Sequence, residues 1–125
     1  MKTIDDLRDL NSEATGKMKV TVDEIDTQLD DPSISLADES RLISRRGTLQ
    51  AQINSQMLIQ AHIKASSVIV DFTDKQEADL DKLNEKMDQF IISGLTINAL
   101  LNLVPKVVDT AISIGNTISG HIGQA

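Results

Sequence analysis

The sequence predicts an all-α fold, either an elongated helical hairpin or a three-to-four-helix bundle with coiled-coil-like seams. Three observations lead there. The chain has two Phe and no Tyr or Trp, whereas strands draw heavily on aromatic and β-branched side chains. Only two prolines interrupt it. Apolar residues recur at steps of three and four along most of its length, the mark of amphipathic helices. At 125 residues it is a single domain, 1–125, long enough to bury a modest core of Leu, Ile, Val and Met.

Thr3 followed by Asp6 resembles a capping box, with Asp in place of the usual Glu or Gln. From there Ile4, Leu7, Ala14, Met18, Ile25 and Leu29 form one stripe, which predicts a helix over about 4–30. Asn11 lies on that stripe, and Gly16 weakens its middle. Asp30-Asp31-Pro32-Ser33 then ends the helix, because acids oppose the dipole at a C-terminus and Pro disfavours helix at the residue before it. A turn over 31–35 follows. Ser35 with Asp38 supplies the next N-cap, and Leu36, Leu42, Leu49, Ile53, Met57, Ile63 and Val68 define a second helix over about 36–72. Val68–Phe72 is β-branched enough for a short strand, but no other segment offers it a partner. Thr73 with Gln76 matches a capping box again and favours a break near 72–73 over one unbroken helix.

The third segment carries the longest periodic signal. Steps of three and four run from Leu80 through Leu83, Met87, Phe90, Gly94, Ile97, Leu101 and Val104. The same count reaches Val108, Ala111, Gly115, Ile118 and Ile122. It predicts a helix over about 74–104, kinked at Pro105 and continuing to about 119; a hairpin turning at 104–106 is the competing arrangement. Only Lys106 and Asp109 are charged beyond Gln89. An apolar arc this wide calls for several neighbours, whether helices of the same chain, other subunits or lipid. Gly94, Ala111, Gly115, Ser119 and Gly123 add small residues that permit close helix approach. Gly94 and Gly115 are read as part of a packed seam, Gly120 and Gly123 as tail punctuation.

Function is bounded mainly by exclusion. The net charge of −7 opposes a nucleic-acid partner, which needs clustered Lys and Arg; the lone Arg45-Arg46 pair reads as a solvated face. No Cys removes disulfides and thiolate metal sites. His62 and His121 have no second His or carboxylate at ligand spacing, and the acidic runs lack the spacing of a calcium loop. No phosphate loop or nucleophile–base pair is present, so the chain is read as non-enzymatic, with no cofactor and no metal. MKTIDDLRDL carries acids where a signal peptide has an apolar core. The expected location is therefore the cytoplasm, or outside the cell by a route that needs no cleaved signal.

A helix, then Asp31-Pro32-Ser33, then the Gln/Asn/Ser-rich "LQAQINSQMLIQAHIKASSVIVDF" of 49–72 resembles, over residues 18–72, the needle and inner-rod subunits of type III secretion systems. That resemblance implies a helix–loop–helix subunit, exported without a signal peptide, that polymerises into a helical tube. Residues 73–125 extend beyond the pattern. The expectation is a self-assembling or partner-binding helical subunit, of a bacterial secretion or virulence filament on the strength of the resemblance. Its partner is a second copy or another helical protein. The assembly interface is expected at Leu80, Leu83, Met87, Phe90, Gly94, Ile97, Leu101, Val104, Val108, Ala111, Gly115 and Ile118. Two alternatives stand beside it: a membrane-active protein inserting residues 90–122, and a monomer whose groove takes a partner's helix.

Overall fold

The computed structural model describes residues 2–65, 68–69 and 72–123. Four helices account for most of them: α1 (Ile4–Leu29), α2 (Leu36–Ala65), α3 (Asp74–Gln89) and α4 (Ile97–Ser119). The fold is an all-α bundle. Each start has its cause in sequence. Thr3 accepts from the Asp6 amide at 3.1 Å while the Asp6 carboxylate accepts from the Thr3 amide at 2.8 Å. Thr73 and Gln76 repeat this reciprocal box at α3, and Ser35 accepts from the Asp38 amide at α2. After α1, the Asp31 carboxylate accepts from both the amide and the hydroxyl of Ser33, which shapes the turn.

Contacts along the helices set their directions. Asn11 meets Gln60 while Asp26 meets Arg46, so α1 and α2 are antiparallel. Arg45 reaches Leu101 and Gln56 lies against Gly115, so α2 and α4 run parallel. Lys2 binds Glu77 and Lys17 binds the Asp88 carbonyl, so α1 and α3 are parallel too. The chain therefore runs up, down, up, down. α1 and α4 touch each other and both remaining helices, which places α2 and α3 on opposite flanks. The core fills the space between, with Leu7, Met18, Ile25, Leu49, Ile63, Leu80, Leu100 and Ile114 fully enclosed.

Three expectations are corrected. The seam from Leu80 onward is not one helix: α3 ends at Gln89 and α4 begins at Ile97. Phe90 leaves the helix in extended conformation, Gly94 takes φ +74°, and Thr96 caps α4 by accepting from the Ala99 amide. Gly94 is thus a turn residue, since the left-handed region suits Gly. The second correction is at the end of α2, which stops at Ala65 instead of about 72; the expected helix over 66–67 and 70–71 lies outside the described residues. Val68–Ile69 is a strand after all, pairing antiparallel with Ile122–Gly123. Third, Gly123 is accordingly a ladder residue and not tail punctuation. Both short strands lie where α2 leads into α3 and α4 ends.

α4 passes through Pro105 as one helix, in place of the hairpin at 104–106. Its wide apolar arc is used within the chain, with α1, α2 and α3 around it. The outward strip is polar: Asn98, Asn102, Lys106, Asp109, Ser113 and Asn116 are all exposed. α4 is long and apolar enough to cross a membrane, but much of it is core here.

Candidate interaction surface

Inside the bundle, two polar devices hold α2 in place. The first is a buried layer. Asn11 Nδ2 donates to the Gln56 carbonyl at 3.0 Å and to Gln60 Oε1 at 2.8 Å, while Gln56 Nε2 donates back to Asn11 Oδ1 at 2.9 Å. Gln52 Nε2 donates to Gln56 Oε1 at 2.8 Å. Asn11 and Gln56 are both fully buried, so each hydrogen bond avoids the penalty of an unpaired buried group. Opposite Gln56 sits Gly115, where an added Cβ would fall 2.8 Å from both Gln56 Oε1 and Ile59 Cδ1. Gly115 does set a close helix approach, between α4 and α2 of the same chain.

The second device answers the proline. Pro105 has no N–H, so the Leu101 carbonyl four residues earlier loses its helical donor. Arg45 Nε donates to that carbonyl at 3.3 Å. Its neighbour Arg46 binds the Asp26 carboxylate at 2.8 and 3.4 Å, and this hydrogen bond holds the guanidinium pKa above its usual value. The Arg pair thus ties α2 to α4 and α1, which corrects its reading as a solvated face.

The residues expected to form an assembly seam are mostly core of the single chain. Leu80, Met87, Leu101, Val104, Val108, Ala111, Gly115 and Ile118 are buried; Leu83, Phe90 and Ile97 are half-buried; Gly94 is exposed in the turn. A 3.6-residue pattern reports burial without telling whether the covering helix is the chain's own. Among the described residues no cluster of three or more His, Asp or Glu is placed to hold a metal. The His121 ring packs against Phe72 beside the strand pair, centroids 4.5 Å apart and planes tilted by 50°, and His62 is exposed on α2.

What the bundle leaves uncovered is the outer side of α2. Leu36 and Met57, expected on the core stripe of that helix, are 84% and 54% exposed, and Ile43 and Leu58 are 54% and 74% exposed. Between Gly47 and Ala61 the helix has no charged residue. The opposite flank differs sharply: the exposed face of α3 carries Asp74, Lys75, Asp79, Asp81, Lys82, Glu85, Lys86 and Asp88. Along the α1 edge of the uncharged face runs an open furrow of two joined depressions, about 260 and 310 Å³. Met57 and Lys19 line both, with Gly16 and Thr15 at one end and Asp23 and Gln50 at the other. Lys19 and Asp23 are the ionisable groups that line it, at its rim. Ile43, Gly47 and Leu58 escaped the sequence reading. For Gly47 and Leu58 the signal was the uncharged run 47–61 in a chain of net charge −7; Ile43, beyond Arg45 and Arg46, had none.

Comparison with protein-family models, curated proteins and solved structures gives no match.

Proposed function

We propose that the chain is a non-enzymatic helical interaction subunit that associates through the outer face of α2. The observation that carries this reading is the combination of exposed Ile43, Met57 and Leu58 with an uncharged run from 47 to 61. Exposed helix faces of an acidic protein ordinarily keep charge for solubility, and apolar residues grouped without it mark contact surfaces. α1 and α4, packed against the inner side of α2, support that face from behind. On the resemblance of residues 18–72, the setting is a secreted bacterial filament or secretion complex, with α1–α2 as the assembling hairpin and α3–α4 folded against it.

Sedimentation velocity from micromolar to high-micromolar concentration tests the reading. Association that disappears in Met57→Glu/Leu58→Glu and survives in Lys82→Ala on α3 supports it. A chain that stays monomeric throughout, and binds no other protein through α2, overturns it. The membrane reading has one observation in its favour, the length and apolarity of α4. It requires the bundle to open, because that helix's apolar side is core. Flotation with anionic and neutral vesicles decides it, and absence of binding to both removes it.

A further inference from the structure

We infer that the occupant of the α2 face is α2 of a second copy, laid antiparallel about a two-fold axis near residue 52. This rests on the interaction reading above and specifies its partner. Ile43, Gly47, Gln50, Asn54, Met57 and Ala61 follow steps of four and three along the exposed side. That spacing is symmetric about its centre, so two antiparallel copies place the large Ile43 and Met57 opposite the small Ala61 and Gly47. Ile43 meets Ala61, Gly47 receives Met57 with Leu58 beside it, and Gln50 meets Asn54 amide to amide. Knobs facing holes is the geometry of a helix seam.

Two further observations favour a second copy. The first is charge. α2 has acids in its first turn, Asp38 and Glu39, and Lys64 in its last. Asp38 is paired with Arg41 of its own helix; antiparallel pairing brings the remaining acid, Glu39, to the Lys64 end of the other copy, and leaves the uncharged run 47–61 where two chains of net charge −7 approach. A parallel pair would set Glu39 against Glu39 and Lys64 against Lys64. The second is Gly47, a mid-helix glycine whose added Cβ would meet nothing within 4 Å and whose φ is not positive. Within one chain it only weakens α2; against a partner's Met57 and Leu58 it forms the hole. A two-fold contact of this kind is self-complementary, with the same patch on both copies.

The chain has no cysteine, so introduced thiols report the arrangement without background. The test is the double variant Ile43→Cys/Ala61→Cys beside each single variant, under mild oxidation, with circular dichroism as the check of fold. Residues 43 and 61 lie about 27 Å apart along one helix at 1.5 Å per residue, so a bridge between them must join two chains. A covalent dimer in the double variant and none in either single variant is the expected result. Efficient dimers in Ile43→Cys alone mean parallel pairing and overturn the inference. Reversible multimers by sedimentation with no bridge in the double variant place the contact elsewhere, which overturns this inference and spares self-association. Monomers at every concentration overturn self-association itself.

Discussion

Replacing Gly115 with Ala tests whether α4 and α2 are as close as the structure places them. On helix propensity alone the change stabilises, by about 1 kcal/mol in a helix interior. Packing opposes it. The new Cβ would lie 2.8 Å from Gln56 Oε1 and Ile59 Cδ1 and 3.2 Å from Gln56 Nε2, whereas ordinary contact begins at 3.4 Å. Ile59 is half-buried and its terminal methyl swings aside readily. Gln56 cannot do so. Its amide is fully buried, accepting from Gln52 and donating to Asn11. Moving it strains two hydrogen bonds worth about 1 kcal/mol each, on top of the roughly 1–3 kcal/mol of overpacking a tight site. Gly115→Ala should therefore destabilise by about 1–3 kcal/mol net, and Gly115→Leu by more. The assay is urea denaturation, read as a lower midpoint at unchanged slope. Sedimentation should not change, because the contact is internal. An Ala variant as stable as the parent, or more stable, would refute the close approach.

Other outcomes follow from the same contacts. Gly94→Ala and Gly16→Ala should have opposite signs although neither Cβ meets anything within 4 Å: the first loses about 1–2 kcal/mol from its φ of +74°, and the second gains about 0.5–1 kcal/mol. Thermal melts of the two variants measure it, and equal signs would contradict the turn at 93–94. Arg45→Met should cost about 1–2 kcal/mol by leaving the Leu101 carbonyl without its donor. The same change should cost less in Pro105→Ala, where the backbone supplies an N–H, so a double-mutant cycle showing no coupling would reject the link. The Asp6 and Asp31 carboxyls are held below 3.8, first by hydrogen bonds from the Thr3 and Ser33 amides. Folding is thus favoured by these groups above pH 3.8 and loses their help as pH falls below it. Asp6→Asn should flatten the acid limb of a circular-dichroism titration; an unchanged limb would show that the cap carries none of it.

Much of this architecture was legible, and the misses have physical causes. Both capping boxes, the Ser35 cap and the stop at 30–33 were readable because each is local chemistry among residues a turn apart. The break at 90–96 was not, since Phe90, Gly94 and Ile97 happen to keep the three-four count across a loop. Periodicity records spacing and cannot tell a glycine inside a seam from one taking a positive φ. The strand at Val68–Ile69 has its partner at 122–123, some fifty residues on, a pairing with no local signal. Asn11 stood out on an apolar stripe, yet Gln56, which satisfies it, sits on another helix. Arg45 is the same case: the orphaned carbonyl at Leu101 was inferable from Pro105, the donor was not.

The two charge-poor stretches show why an uncharged segment is not by itself a surface. α4 is nearly uncharged because it is enclosed by three helices, and its exposed strip reverts to Asn, Ser, Lys106 and Asp109. α2 packs against α1 and α4, and the exposed side of its middle stays uncharged. Burial within the chain accounts for the first and leaves the second unexplained. Half-exposed Ile43 and Met57, a glycine with nothing against it, and a furrow along the α1 edge all lie on that second face. Solubility would favour Lys or Glu at several of those positions, as α3 has on the opposite flank. On the reading we propose, a contact that charge would oppose is the reason for leaving them neutral, and α2, not the seam that the periodicity first marked, is the assembling element.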